Sequence, residues 1–177
     1  DNALLIAAIA LLVTMDAPAW MTPLLKWSFA LSYVLLAAFV GAFADSRPKG
    51  KVMFFTNLIK IAGCALMFFD VHPVIAYGVV GFGAAAYSPA KYGILTELLP
   101  AEKLVAANGW IEGLTISSII LGVVLGGKLV DPQISDKLLS FDFPLISTGI
   151  NTTNQSALCA ITVCYIIAAI FNRYIPD

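Results

Sequence analysis

Charge is what this 177-residue sequence has least of: Asp, Glu, Lys and Arg together make up 12% of it. A soluble domain carries about 25%. Half that share cannot build a water-facing surface around a core of this size. Histidine occurs once, as His72, so neither a His-based metal cluster nor a Ser/His/Asp triad can be assembled. The three cysteines, Cys64, Cys159 and Cys164, all fall inside apolar runs, where they read as small packing residues and not as a disulfide scaffold. Ser117 and Ser118 have no base in sequence reach, and no Gly-rich phosphate loop followed by Lys and Ser/Thr occurs. These gaps speak against an enzyme and imply no cofactor. A formal net charge of -1 offers no basic footprint for nucleic acid.

What fills the space is hydrocarbon. Hydrophobic residues make up 60% of the sequence, and the mean hydropathy is +0.90. At about 20 residues per membrane helix, the length accommodates roughly six spans with short loops. The runs are continuous, without the ten-residue alternation of a membrane β-barrel, which predicts an all-α, integral membrane six-helix bundle. Spans are expected at about 1–15, 24–44, 52–69, 74–99, 104–130 and 156–174. The breaks between them carry turn chemistry: Asp16-Ala17-Pro18, Asp45 to Gly50, Val71-His72-Pro73, Pro100-Ala101-Glu102 and Asp131-Pro132. The apolar run from Ala3 to Val13 is too short to cross a bilayer and lacks the flanks of a signal peptide, so a first helix that has lost its beginning is expected.

Charge sets the expected orientation. Arg47, Lys49, Lys51, Lys103 and Arg173 collect on one side; Asp16, Asp70, Asp131, Asp136 and Asp142 dominate the other, with Lys26, Lys128 and Lys137 the only cations nearby. Lys and Arg gather on the cytoplasmic side, which places the N-terminal end and Arg173 there. The loop from about 132 to 155 is long, and its apolar stretch Leu138–Ile146 suits the membrane surface. Asn151 and Asn154 fit glycosylation triplets, read here as coincidence in an Asn/Thr-rich loop. Span 2 ends in Gly41-Ala42-Phe43-Ala44-Asp45 and span 5 in Gly127-Lys128-Leu129-Val130-Asp131. These spans hold the same place in two triplets of helices that cross in opposite senses, as inverted three-helix repeats would.

A charge at mid-helix costs at least about 2.5–3.5 kcal/mol, so Asp1, Lys60, Lys91 and Glu112 each need a reason. Counting about 1.5 Å per residue from the span ends puts Lys60, Lys91 and Glu112 about 12 Å from the cytoplasmic side and Asp1 about 9 Å from it. One layer with cancelling charges is the expectation. Two readings stay open: the carboxylates pair with the lysines to lock helices together, or the lysines face a cavity that receives an anionic group. Lys91 stands in Tyr87-Ser88-Pro89-Ala90-Lys91-Tyr92-Gly93, where Pro89 removes a donor and predicts a kink. Such breaks at membrane depth line protein or water. Asn57 shares a face with Lys60, and Asn108 with Glu112. The glycines around Gly78, Gly81 and Gly83, and around Gly122 and Gly126, permit close helix contact and are assigned no ligand.

These residues also form familiar strings. Asp1-Asn2-Ala3-Leu4-Leu5, Gly41 to Ser46 with Lys49 to Met53, Gly83 to Leu95, and Lys103-Leu104-Val105 with Ala107-Asn108-Gly109 and Glu112 resemble bacterial lysophospholipid transporters of the major facilitator superfamily. The resemblance covers residues 1–131, weakens from 132 to 155, and recovers at Ile175-Pro176. It implies that the chain is the N-terminal half of a twelve-helix carrier of the bacterial inner membrane, with a C-terminal six-helix half as partner. It implies a flippase that moves lysophospholipids, such as lyso-phosphatidylethanolamine, from outer to inner leaflet for reacylation. It assigns Asp1, Asn2 and Lys91 to the substrate path and matches Lys60 and Glu112 to the family's buried charges; with Tyr87 and Asn108, read from the residues themselves, these complete the substrate-side candidates. Gly41, Asp45, Arg47 and Pro89 are expected in gating or structural roles. The superfamily loop signature is only partly present, because the glycine after Asp45 arrives late, at Gly50. Rival readings are a proton-coupled drug or small-solute exporter on the same scaffold, or the membrane module of an acyltransferase or acyl-activating enzyme.

Overall fold

The computed structural model describes residues 1–134 and 152–175. Six helices follow in order: α1 (Asn2–Thr14), α2 (Met21–Asp45), α3 (Lys49–Phe68), α4 (Pro73–Leu98), α5 (Ala101–Leu129) and α6 (Thr153–Asn172). Among the described residues there is no strand. The stretch Leu138–Ile146 and Asn151 lie outside the described residues. Four helices, α2, α3, α5 and α6, are long and apolar enough to cross a membrane; α1 is apolar but shorter. α4 reaches 26 residues, its apolar character diluted by Tyr, Ser, Pro and Lys. The chain is a multi-pass integral membrane protein.

Local chemistry sets the helix ends. α1 and α3 both close with an aspartate in the left-handed region, Asp16 at φ 50° and Asp70 at φ 59°. In each case the next amide reaches back five residues, Ala17 to Leu12 and Val71 to Leu66, which satisfies carbonyls that the helix end would leave bare. His72 caps α4: its Nδ1 accepts the Val74 amide at 3.3 Å. α6 opens with a reciprocal cap, the Thr152 hydroxyl accepting from the Gln155 backbone N–H and the Gln155 side-chain Oε1 accepting from the Thr152 backbone N–H. The neighbouring Asn154 is buried and donates to the Thr14 hydroxyl at 3.2 Å, so its side chain serves packing.

Glycines carry the closest crossings. A Cβ on Gly81 would stand 2.8 Å from the Ser32 hydroxyl on α2, and one on Gly83 would stand 2.7 Å from the Thr56 carbonyl on α3. On Gly126 it would stand 2.8 Å from the Ala3 Cα on α1. Close backbone approach replaces the hydrophobic drive that lipid cannot supply, and the Ser32 hydroxyl adds a bond to the Gly78 carbonyl at 3.0 Å. The core of the bundle gathers Leu4, Leu25, Met67 and Val80, all essentially inaccessible. Cys64 is buried with them, Cys159 half-buried and Cys164 exposed; all three are unpaired.

The packing has an internal symmetry. α2 packs on α4 and α1 on α5; α3 packs on α4 and α1 on α6; α1 touches α2, and α4 touches α5. Exchanging α1 with α4, α2 with α5 and α3 with α6 maps this set of neighbours onto itself. Successive helices alternate in direction, so the exchanged triplets cross the bundle in opposite senses. That is the arrangement of inverted three-helix repeats.

Candidate functional site

A cavity of about 750 Å³ opens along one side of the bundle. Its walls come from α1, α2, α4 and α5, and from α3 only Lys60 reaches in. Asp1, Asn2, Lys60, Tyr87 and Lys91 all line it.

The expected single layer of charge divides into two tiers. In the inner tier, Lys60 Nζ stands 3.0 Å from both carboxylate oxygens of Asp1. The Tyr165 hydroxyl donates to Asp1 Oδ1 at 2.6 Å. Lys60 Nζ also stands 4.9 Å from the centre of the Tyr87 ring and 5.6 Å from that of Tyr165. The lysine is buried, and the Asp1 side chain keeps 29% exposure toward the cavity. An ammonium in a dry bundle needs a counter-ion and hydrogen-bond acceptors. Asp1 supplies both charge and acceptors, and two aromatic faces supply the rest.

The other tier holds Lys91. Its Nζ donates to the Thr115 hydroxyl at 3.0 Å and stands 4.4 Å from the centre of the Tyr92 ring. Thr115 in turn donates to the Ile111 carbonyl at 2.6 Å. Its hydroxyl proton is thereby committed to α5, and a lone pair faces the lysine. The carboxylate expected beside Lys91 is elsewhere: Glu112 accepts from the Tyr92 hydroxyl on an exposed face. Glu112 and Asn108, expected on the substrate side, are not among the residues that line the cavity. The vertical offset has a plain cause. α3 begins at Lys49, three residues before its apolar run, so Lys60 lies deeper than the hydropathy boundary implies. Lys60 packs beside Gly83, and Lys91 lies eight residues further along α4, about 12 Å at helical rise.

The remaining candidates sit apart from the cavity. α4 is a continuous helix through Pro89, with the Ser88 hydroxyl donating to the Ala84 carbonyl one turn back, so Pro89 leaves the span uninterrupted. Gly41 has open space around it. Asp45 pairs with the buried Lys49 at 2.9 Å; Lys49 also meets Glu97 at 3.3 Å and the Ala44 carbonyl at 2.9 Å, tying together one end of α2, α3 and α4. Arg47 lies over Phe43, 5.8 Å from the ring centre. Asn57 is buried with its amide nitrogen unpartnered. Among the described residues no group of three or more His, Cys, Asp or Glu could hold a metal ion.

Among the cavity and tier residues that escaped the sequence reading are Thr115, Tyr165, Tyr77 and Lys26. Thr115 left a trace, because Ile111, Thr115, Ser118 and Gly122 recur at helical spacing and all line the cavity. Tyr165, Tyr77 and Lys26 left none, since nothing local marks a tyrosine or a flanking lysine as facing inward.

The profile of the Major Facilitator Superfamily matches residues 3–171. A lysophospholipid transporter of Enterobacter sp. (strain 638) is 54% identical over 131 residues, 74% of this chain and 33% of the relative. Lysophospholipid transporters of Salmonella arizonae and of Escherichia coli O6:H1 are 45% and 46% identical over 176 residues, 99% of this chain and 39% of each relative. The chain thus spans between a third and two fifths of the length of the curated relatives it matches. No solved structure matches it. The chain belongs to the Major Facilitator Superfamily.

Proposed function

We propose that this superfamily member is the N-terminal half of a lysophospholipid carrier, a transporter and not an enzyme. On this reading it lies in the bacterial inner membrane with its Lys- and Arg-rich loops in the cytoplasm. It takes lysophospholipids such as lyso-phosphatidylethanolamine from the outer to the inner leaflet, where reacylation consumes them. The observation that carries the reading is Lys91, a cavity cation whose polar partner is a neutral hydroxyl.

The chemistry follows from the two tiers. A lysolipid brings a phosphate, and Lys91 offers it an ammonium that no carboxylate pairs with among the described residues. Where the headgroup also carries an amine, the partly exposed Asp1 carboxylate gives it a counter-charge, with Asn2 and Tyr87 beside it. The exposed apolar faces of α2 and α5 flank the opening and suit a single acyl chain. A second six-helix half would close the cavity, as a midplane site between repeats requires. The Asp45–Lys49–Glu97 tie is assigned to holding the gate end of α2, α3 and α4 together.

The test uses the full-length protein. Lys91→Ala abolishes uptake of lyso-phosphatidylethanolamine into reconstituted vesicles without loss of expression. Normal uptake in that variant removes Lys91 from the mechanism.

A further inference from the structure

The cavity contains one more cation than its two tiers use. Lys26, in the second turn of α2, lines it together with Phe29 and Tyr33. Positions 26, 29 and 33 recur at helical spacing, so one face of α2 presents all three to the cavity. A lysine this close to the start of a span ordinarily anchors it by reaching for the membrane surface. Lys26 shares a wall with Lys60 and Lys91.

Asp1 is the only carboxylate in the described lining, and Lys60 meets both of its oxygens. Among the described residues no carboxylate pairs with Lys26 or with Lys91. The crossing of α2 and α4 fixes how far apart these two stand. A Cβ on Gly78 would lie 3.7 Å from the Ser28 Cβ, and one on Gly81 would lie 2.9 Å from the Phe29 Cα. The two helices run in the same sense, so Lys26 sits two residues before the level of Gly78 and Lys91 thirteen residues beyond it. At helical rise their backbones are about 22 Å apart along the bundle. Lys60, beside Gly83, stands between them. From end to end the cavity presents a cation, a neutralised pair and a second cation. Along the wall beyond Lys26, Phe29 stacks on Tyr77 with ring centres 5.0 Å apart, and the Tyr33 hydroxyl meets that of Ser88 at 3.5 Å.

Distance gives the outermost cation a task. Exposed charges separated by more than a Debye length, about 8 Å at physiological salt, are largely screened. Lys91 therefore exerts little pull on an anion at the far mouth of an open, wet cavity, whereas Lys26 is already there. We propose that Lys26 is the first station for the lysolipid phosphate, receiving it at the outer-leaflet end of the cavity before it reaches Lys91. This rests on the carrier reading above and adds to it a capture step that neither tier supplies.

The test is uptake of lyso-phosphatidylethanolamine by the full-length protein in reconstituted vesicles, measured over a range of substrate concentrations. Lys26→Gln raises the half-saturation about fivefold and leaves the maximal rate unchanged. Lys26→Arg restores the wild-type value. Lys128→Gln, at the same end of the bundle but outside the cavity, behaves as wild type. An unchanged half-saturation in Lys26→Gln, with uptake abolished in Lys91→Ala, overturns the station and leaves the carrier reading standing. Normal uptake in both variants overturns both. An equal rise in Lys128→Gln also overturns the station, because it assigns the effect to diffuse surface charge. So does a lower maximal rate at unchanged half-saturation, which places Lys26 after capture.

Discussion

Lys60 and Lys91 line the same cavity, yet they have opposite surroundings. Lys60 is enclosed: a carboxylate grips it with both oxygens, a tyrosine hydroxyl holds that carboxylate, and two rings cover the ammonium. Lys91 is held by one threonine hydroxyl and one ring. A charge in a bundle can be stabilised by neutralisation or merely positioned by neutral dipoles, and only the second leaves it attractive to an incoming anion. The first tier accordingly joins helices, and the second is where we propose that a ligand binds.

Four substitutions in the full-length protein set the two tiers against each other, and thermal unfolding reads three of them. Asp1→Asn leaves Lys60 without its counter-ion and costs roughly 3 kcal/mol, the low end for a broken buried pair because the carboxylate borders the cavity. Gly83→Ala drives a methyl toward the Thr56 carbonyl, 2.7 Å away, and the Lys60 side chain, so it costs about 1–3 kcal/mol. Thr115→Val removes the acceptor that aims Lys91 and raises the half-saturation for lysolipid uptake about fivefold, or ~1 kcal/mol, while Thr115→Ser restores it. Lys91→Ala shifts unfolding least, by less than about 0.5 kcal/mol, because among the described residues no ion pair depends on it. A large loss of stability in Lys91→Ala, or none in Asp1→Asn, would erase the distinction between the tiers.

The bundle was readable because lipid imposes long apolar runs, and the glycines of α4 and α5 stand out against them. Lys91 was readable from its own string of neighbours. Partners were not. The pairing of Asp1 with Lys60 and Tyr165 joins residues 59 and 164 positions apart and depends on the relative height of three helices. Hydropathy misjudges that height when a polar turn such as Lys49-Gly50-Lys51 is itself helical. Glu112 shows the same limit: spacing put it on a face with Asn108, but which way that face turns is fixed by the crossing of α1 and α5.

Because swapping the two triplets leaves the neighbour pattern unchanged, tipping one triplet past the other and the reverse motion start from equivalent frameworks. Any bias between them comes from side chains that lack a twin. The clasp from α3 to α1 through Lys60 and Asp1 is such a residue pair, since among the described residues no ion pair links α6 to α4. With the Lys49–Glu97 tie from α3 to α4, which likewise has no twin from α6 to α1 among the described residues, such fasteners give an otherwise even-handed frame a resting direction.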